Sequence, residues 1–382
     1  MSGGMDGMRL VMGNEAVALG ALAAGCDFYA GYPITPASEI LEGMAHLLPP
    51  RGGVFLQMED ELGALAAVVG AAWGGARAMT ATAGPGFSLM QEHIGYAAIT
   101  QTPCVVVDVQ RGGPSTGLPT LPSQGDAMQA RWGTHGDRPA IVLTAASVLE
   151  AYDATIRAFA LAEQYRQPVV LLLDAVVAHM REPVDLPPPP PPSRQRPRPS
   201  AEPPFGEHPF TPFGSGRAVV VTGLSHDDEG LPRTGSARAS ERMLRATEAR
   251  MAADPALGGL TSYRLDGARL AVLSYGVTAR VARAAIDALR GAGQAVGGLE
   301  LTVLWPFPEQ GVVDLAGQVD AILVPELNLG QMVLPVRAAV AGRCRVESLG
   351  RADGTLFQPD DLVAAVRAMP HDSPVGREAR HA

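Results

Sequence analysis

Lysine is missing altogether: all 30 cationic side chains in the 382 residues are arginine. A lysine Schiff base and a phosphate-binding loop of the GxxxxGK(S/T) type are thereby excluded. Cysteine is nearly as scarce. Cys26, Cys104 and Cys344 lie far apart with no CxxC pair, so four-cysteine ligation of an iron–sulfur cluster within this chain is excluded and structural zinc is not expected. Cys104, inside the apolar run TPCVVVDV, reads as a small core residue. Aromatics amount to only 5% of residues, against 47% apolar, so the core is expected to rest on alanine, glycine and aliphatic packing rather than on large rings. No stretch of about 18 unbroken apolar residues suggests a membrane span. The first residues, MSGGMDGMRL, lack the basic flank and apolar run of a secretory signal, and a cytoplasmic protein is expected. A net charge of −9 argues against the basic surface that a general nucleic-acid binder needs.

What is present is a regular alternation. From residue 12 to 180, glycine-punctuated helical segments alternate with short apolar runs. GNEAVALGALAAG is helical in pattern, with Asn14 as a plausible cap and Gly25 as a stop. CDFYAGYPI, VFLQM and ARAMTATA read as strands, and PCVVVDVQ, AIVLTAA and QPVVLLLD read as parallel strands covered on both faces. This pattern predicts a doubly wound α/β domain over residues 1–182. Residues 183–265 break it: Pro187 to Pro192 are consecutive prolines, followed by more proline and arginine, as expected of an extended strap or linker. This segment also carries the helical stretch ASERMLRATEARMAA. A smaller α/β domain is expected over residues 266–382, its first strand near Leu270.

Four clusters follow predicted strands, where ligands of open α/β sheets sit. In Gly31-Tyr32-Pro33-Ile34-Thr35-Pro36, two prolines fix the backbone around Thr35; alternatively Thr35 or Ser38 merely caps the next helix. Glu59-Asp60-Glu61 leads into LGALAAVVGAAWGG, which carries no charge. Acids at a helix start complement its dipole, yet three of them before a wholly apolar helix suggest that one points inward, where burial favours the protonated form. In Thr80-Ala81-Thr82-Ala83-Gly84-Pro85-Gly86 the glycines allow close approach by a ligand or another subunit, or simply form a loop. Gln110-Arg111-Gly112-Gly113-Pro114-Ser115-Thr116-Gly117 offers a guanidinium that could clamp a carboxylate or make a surface ion pair.

Taken together, GNEAVALGALAAGCDFYAGYPITPASEI, QMEDELGAL, MTATAGPGFSLMQEHIGYA, VDVQRGGPSTGLPT and WGTHGD resemble the alpha subunit of the 2-oxoacid:ferredoxin oxidoreductases, densely over residues 10–180 and more loosely through SYG, LWPFP and PELNLGQM. The fit is to the 2-oxoglutarate branch. The resemblance implies a thiamine pyrimidine-binding domain followed by a transketolase C-terminal-like domain. It implies that Glu61, nine residues before Gly70, hydrogen-bonds the pyrimidine N1′ of thiamine diphosphate and favours its imino tautomer. Tyr32, Pro33, Ile34 and Gly84 would contact the cofactor, and Thr35 and Arg111 the substrate carboxylate. The implied reaction is oxidative decarboxylation of a 2-oxoacid, with coenzyme A taking the acyl group and electrons passing to an iron–sulfur cluster, or the reverse.

The GDG motif that binds diphosphate and magnesium, followed at a distance by asparagine, is absent; the only asparagines are Asn14 and Asn328. The resemblance therefore implies a beta subunit that brings Mg²⁺, the diphosphate contacts and a four-iron cluster. Separate gamma and delta subunits and a ferredoxin are further possible partners. Pyruvate, 2-oxoisovalerate and indolepyruvate remain open as substrates. So do a non-redox thiamine enzyme and a non-catalytic scaffold.

Overall fold

The computed structural model describes residues 8–187, 212–216, 218–227, 230–235 and 237–369. In chain order its first half runs β1 (Arg9–Met12), α1 (Gly13–Ala23), β2 (Phe28–Gly31), α2 (Ser38–Leu47), β3 (Val54–Gln57), α3 (Glu61–Trp73), β4 (Ala78–Thr82), α4 (Gly84–Ile99), β5 (Cys104–Gly112) and β6 (Leu118–Pro122). It continues with α5 (Ala127–Trp132), β7 (Ile141–Thr144), α6 (Val148–Tyr165), β8 (Pro168–Asp174), α7 (Ala175–His179) and β9 (Arg181–Val184). The second half comprises α8 (Ala237–Ala253), β10 (Leu260–Tyr263), β11 (Leu270–Ser274), α9 (Val277–Gly291), β12 (Val296–Leu301), β13 (Val303–Trp305), α10 (Glu309–Gln318), β14 (Ala321–Glu326), α11 (Val333–Val340), β15 (Arg345–Gly350) and α12 (Pro359–Ala368).

The large sheet has the order β13-β7-β8-β5-β4-β2-β3, with β6 folded back on β5. All its pairings from β7 to β3 are parallel, and the interior strands β7, β8 and β5, buried along their whole length, read as apolar runs for that reason, whereas β3 is a largely exposed edge strand. Alternation along β5 shows the two covered faces. Val105, Val107 and Val109 join the core under α1, α2 and α6, whereas Cys104 and Val106 join the core under α3 and α4. Each fully buried valine contributes roughly 1.5–3 kcal/mol. The second sheet, β10-β12-β11-β14-β15, has α9 and α12 on one side and α10 and α11 on the other. Both halves are thus helix-covered α/β sheets, the first doubly wound.

Several details depart from the sequence reading. Asn14 is not the cap of α1. The helix begins one residue earlier, and the buried Asn14 amide donates to the Pro36 carbonyl and to Glu39 Oε2, both at 2.8 Å, so a tertiary anchor replaces the local cap. Ser38 does not cap α2 either; Ala37 occupies that position and Ser38 is the first helical residue. Val303–Trp305, expected within the smaller sheet, instead leaves it and pairs antiparallel with β7 at the edge of the large one. Trp305 fixes that crossing by donating its indole N–H to the Ala127 carbonyl at 2.9 Å.

Apart from Pro187, the polyproline run lies outside the described residues. Described parts of the segment after it lie on the first half. The Phe213 N–H donates to the Trp73 carbonyl at 2.8 Å, and Asp254 accepts from the Tyr165 hydroxyl at 2.6 Å. Leu260–Tyr263 adds an antiparallel edge strand to the second sheet, ahead of the expected start near Leu270.

Candidate active site

Strands β5, β4, β2 and β3 are neighbours in that order, so the segments that leave their carboxyl ends lie side by side along one edge of the large sheet. All four sequence clusters fall on these segments.

The three acids before α3 separate by role. Glu59 is exposed, Asp60 caps the helix by accepting from the Gly63 N–H at 2.7 Å, and Glu61 turns inward with 5% of its surface exposed. The Glu61 side chain packs against Gly86 at the start of α4. A Cβ on Gly86 would overlap both the Glu61 carboxyl and Thr82 Oγ1, so only glycine leaves room for the acid. Among the described residues, no hydrogen bond satisfies that carboxyl. Its oxygens keep some surface open, so a donor from outside the chain can reach them.

Beyond β2, Tyr32, Pro33 and Thr35 are exposed and Ile34 is half-buried. The Thr35–Pro36 peptide is cis, and Asn14 holds the Pro36 carbonyl from beneath. Arg111, at the end of β5, is 8% exposed; its Nη1 donates to the Thr35 carbonyl at 2.7 Å. Its Nε is buried without a partner. Thr35 and Arg111 are therefore brought together, through the threonine backbone rather than its hydroxyl. Ser115 and Thr116 stand exposed in the loop that follows. Gly84, the first residue of α4, is half-buried beside the Asp126 carboxyl. No hydrogen bond links Glu61 to Thr35 or Arg111; they occupy separate segments of the same edge.

Several buried polar groups near this edge gave no signal in the sequence. Gln124, fully buried, donates to the Tyr275 carbonyl at 2.8 Å and exchanges two hydrogen bonds with Leu327, each at 3.0 Å. Asn328 Nδ2 donates to the Gln124 carbonyl at 2.7 Å and to Glu326 at 3.0 Å. Tyr275 donates to Glu326, and burial, followed by the Glu326 charge, pushes its hydroxyl well above the usual range. Asp174, at the end of β8, accepts from Val177 N at 3.0 Å and from Val277 N at 2.7 Å, so one carboxyl caps helices on both halves. Burial raises it to about 6. Gly276 carries φ +55°, and a Cβ there would stand 2.7 Å from Asp174 Oδ2. The PELNLGQM motif could have pointed to Asn328; nothing around Gln124 could.

Residues 19–246 match the family model described as pyruvate flavodoxin/ferredoxin oxidoreductase, thiamine diphosphate-binding, and residues 268–362 match core domain II of pyruvate:ferredoxin oxidoreductase. The 2-oxoglutarate synthase subunit KorA of Methanothermobacter marburgensis is 47% identical over 94% of this chain and 98% of its own length. The chain belongs to the 2-oxoacid:ferredoxin oxidoreductases. Within this family it is an alpha-type subunit. The ketoisovalerate oxidoreductase subunit VorB of Methanothermobacter thermautotrophicus is 37% identical over 96% of the chain and 99% of its own length. Among solved structures, the 2-oxoglutarate:ferredoxin oxidoreductase of Magnetococcus marinus, with 2-oxoglutarate, coenzyme A and succinyl-CoA bound, superposes with a TM-score of 0.85 at 32% identity. The match covers 94% of this chain and 65% of that one. A split-gene transketolase, 14% identical with a TM-score of 0.58, shares the fold.

The described residues fit one part of a thiamine coenzyme. An inward carboxyl without a hydrogen-bond partner in its own chain, packed on a glycine at the start of α4, suits a nitrogen heterocycle. Among the described residues no group of three or more His, Cys, Asp and Glu side chains is arranged to hold a metal ion, and no helix is long and apolar enough to cross a membrane.

Proposed function

We infer that this chain is the alpha subunit of a thiamine diphosphate-dependent 2-oxoglutarate:ferredoxin oxidoreductase, forming succinyl-CoA from 2-oxoglutarate and coenzyme A or running in reverse. The observation that carries the reading is Glu61, a buried carboxyl at the carboxyl edge of the sheet whose hydrogen-bonding capacity is unused by its own chain. When bound, thiamine diphosphate supplies a carbon nucleophile and an electron sink for decarboxylation.

This chain's residues would do the rest of the work on its side. Glu61 would meet the pyrimidine N1′, and Gly86 keeps the space the acid needs. Tyr32, Pro33, Ile34 and Gly84 would contact the ring. Arg111, braced on the Thr35 carbonyl, would bind the substrate carboxylate with its free N–H groups, and the Thr35 hydroxyl would assist. Magnesium, the diphosphate contacts and a four-iron cluster would come from a beta subunit. Ferredoxin would take the electrons, and gamma and delta subunits complete the proposed complex, which is cytoplasmic.

The similarity to ketoisovalerate oxidoreductase subunits makes 2-oxoisovalerate the competing substrate. The test is to co-purify the chain with its beta subunit and follow coenzyme A-dependent reduction of a low-potential dye. 2-Oxoglutarate is expected to give the highest kcat/KM among 2-oxoglutarate, 2-oxoisovalerate, pyruvate and indolepyruvate. Preference for a branched-chain substrate would overturn the substrate assignment. Equal activity without added thiamine diphosphate, after thorough removal of the coenzyme, would overturn the reading as a whole.

A further inference from the structure

We propose that Asp108 and Asp126 share a single proton, and that the resulting carboxyl pair positions the strand end carrying Arg111 against the turn that packs on Glu61. The proposal rests on the functional reading above only for what the positioned groups do; the proton itself is a property of the fold.

Asp108 is wholly buried on β5, two residues beyond Val106 and so on the same face, toward α3 and α4. Its neighbours in register are Thr82 on β4 and Leu172 on β8, neither of them charged. Neither carboxylate oxygen of Asp108 receives a conventional donor, and Asp126 Oδ2 is likewise buried without one. Asp126 lies next to Asp108: its N–H reaches the side chain of Gln110, the next residue on the same face of β5, and its Oδ2 lies beside Gly84, two residues after the Thr82 that is in register with Asp108. Two ionised carboxylates placed so, buried and without another donor, would repel strongly; a proton on one of them removes the repulsion and lets it donate to the other. One proton turns the contact into a short, charge-assisted O–H···O bond.

The electrostatics agree with the geometry. Burial, followed by the Asp126 charge, pushes Asp108 well above the ordinary carboxylate range, while the Arg111 charge pulls it partway back. Asp126 is raised to about 6, again chiefly by burial.

The pair sits where three segments meet. The Asp126 N–H donates to Gln110 Oε1 at 3.1 Å, tying it to the residue before Arg111. Its carboxyl lies beside Gly84, two residues before the Gly86 that cradles Glu61. Its chain neighbour is the segment Gln124–Gly125, held from the second half by Asn328 and Gln331. If the shared proton is lost, repulsion acts directly between β5 and this segment.

The test uses the complete complex with its beta subunit. Infrared difference spectra near neutral pH are expected to show a protonated-carboxyl carbonyl band that Asp108→Asn lacks, because the asparagine amide can donate to an ionised Asp126 without any proton. Asp108→Ala, which strands the Asp126 charge, is expected to lower kcat/KM for 2-oxoglutarate about tenfold or more, with Asp108→Asn restoring most of it. Asp108→Asn should also remove the part of the alkaline decline in kcat/KM that comes from losing this proton. Absence of the band in the wild type, or equal impairment of the two variants, overturns the proposal. If Asp108→Ala does not fold, the band and the pH profile of Asp108→Asn decide it. A wild-type complex inactive on every 2-oxoacid would refute the functional reading, whereas the infrared band would still decide whether the proton is shared.

Discussion

Arg111 Nη1 donates to the main-chain carbonyl of Thr35 at 2.7 Å, so the backbone of one site segment holds the guanidinium of another. A neutral carbonyl does not cancel the charge, and Nε remains without an acceptor in a nearly closed environment. An arriving carboxylate would supply what is missing. Arg111→Ala is expected to raise KM for the 2-oxoacid by about tenfold to a hundredfold, the range for a charged hydrogen bond of about 1.5–3 kcal/mol, with a much smaller change in kcat. Steady-state kinetics on the complex check this, and an unchanged KM would remove Arg111 from substrate binding.

Glu61→Gln keeps the shape of the buried side chain and takes away its charge and its ability to exchange a proton. The expected outcome is a kcat lower by about 10²–10⁴-fold at nearly constant KM, since the acid acts on the coenzyme rather than on the substrate. Circular dichroism should show the fold retained. A variant with wild-type kcat would mean that the carboxyl has no part in the chemistry.

Gly86→Ala forces a methyl group into the Glu61 carboxyl and Thr82. Overpacking of this kind costs about 1–3 kcal/mol, so the denaturant midpoint of the isolated chain should fall. Gly70→Ala, within the same helix as Glu61, is the control. A Cβ there meets nothing within 4 Å, and alanine is the better helix former, so its midpoint should hold or rise. Equal midpoints for the two variants would show that the turn has slack.

Asp174 carries a definite pH signature. Its carboxyl is raised from 3.8 to about 6, first by burial, with the backbone N–H groups pulling it down. The folded chain therefore binds a proton that the unfolded chain has lost between these values. The resulting stabilisation is complete below about pH 4 and disappears as pH rises through about 6, with a magnitude of about 3 kcal/mol. Asp174→Asn keeps an acceptor and cannot titrate, so thermal unfolding from pH 4 to 6 should lose part of its slope. Parallel Tm profiles for wild type and variant would contradict this.

Much of this was legible in the residues, for identifiable reasons. Strands such as PVVLLLD are buried on both faces and carry no polar residue before their last position. Glu61 stood out because a helix without charge followed three acids, and the structure assigns the capping role to Asp60, leaving Glu61 to turn inward. Asn14 misled because an amide at a helix start is the usual cap, whereas its partners, Pro36 and Glu39, are remote in sequence. Asp108 was hidden inside an apolar strand, and its meaning depends on Asp126, which only the folded chain brings to it. The departure of Val303–Trp305 to the other sheet could not be read from a short apolar run that suits either sheet equally.

That last strand has a mechanical meaning. Val303–Trp305 is connected by the chain to the smaller half yet hydrogen-bonded to β7 of the larger one, and its indole is latched onto the start of α5. The two halves are laced together rather than hinged, so swinging them apart would mean tearing a strand from a sheet. Whatever opening and closing accompanies turnover must therefore fall to loops or to neighbouring subunits, and a cut made between the halves would leave a single particle.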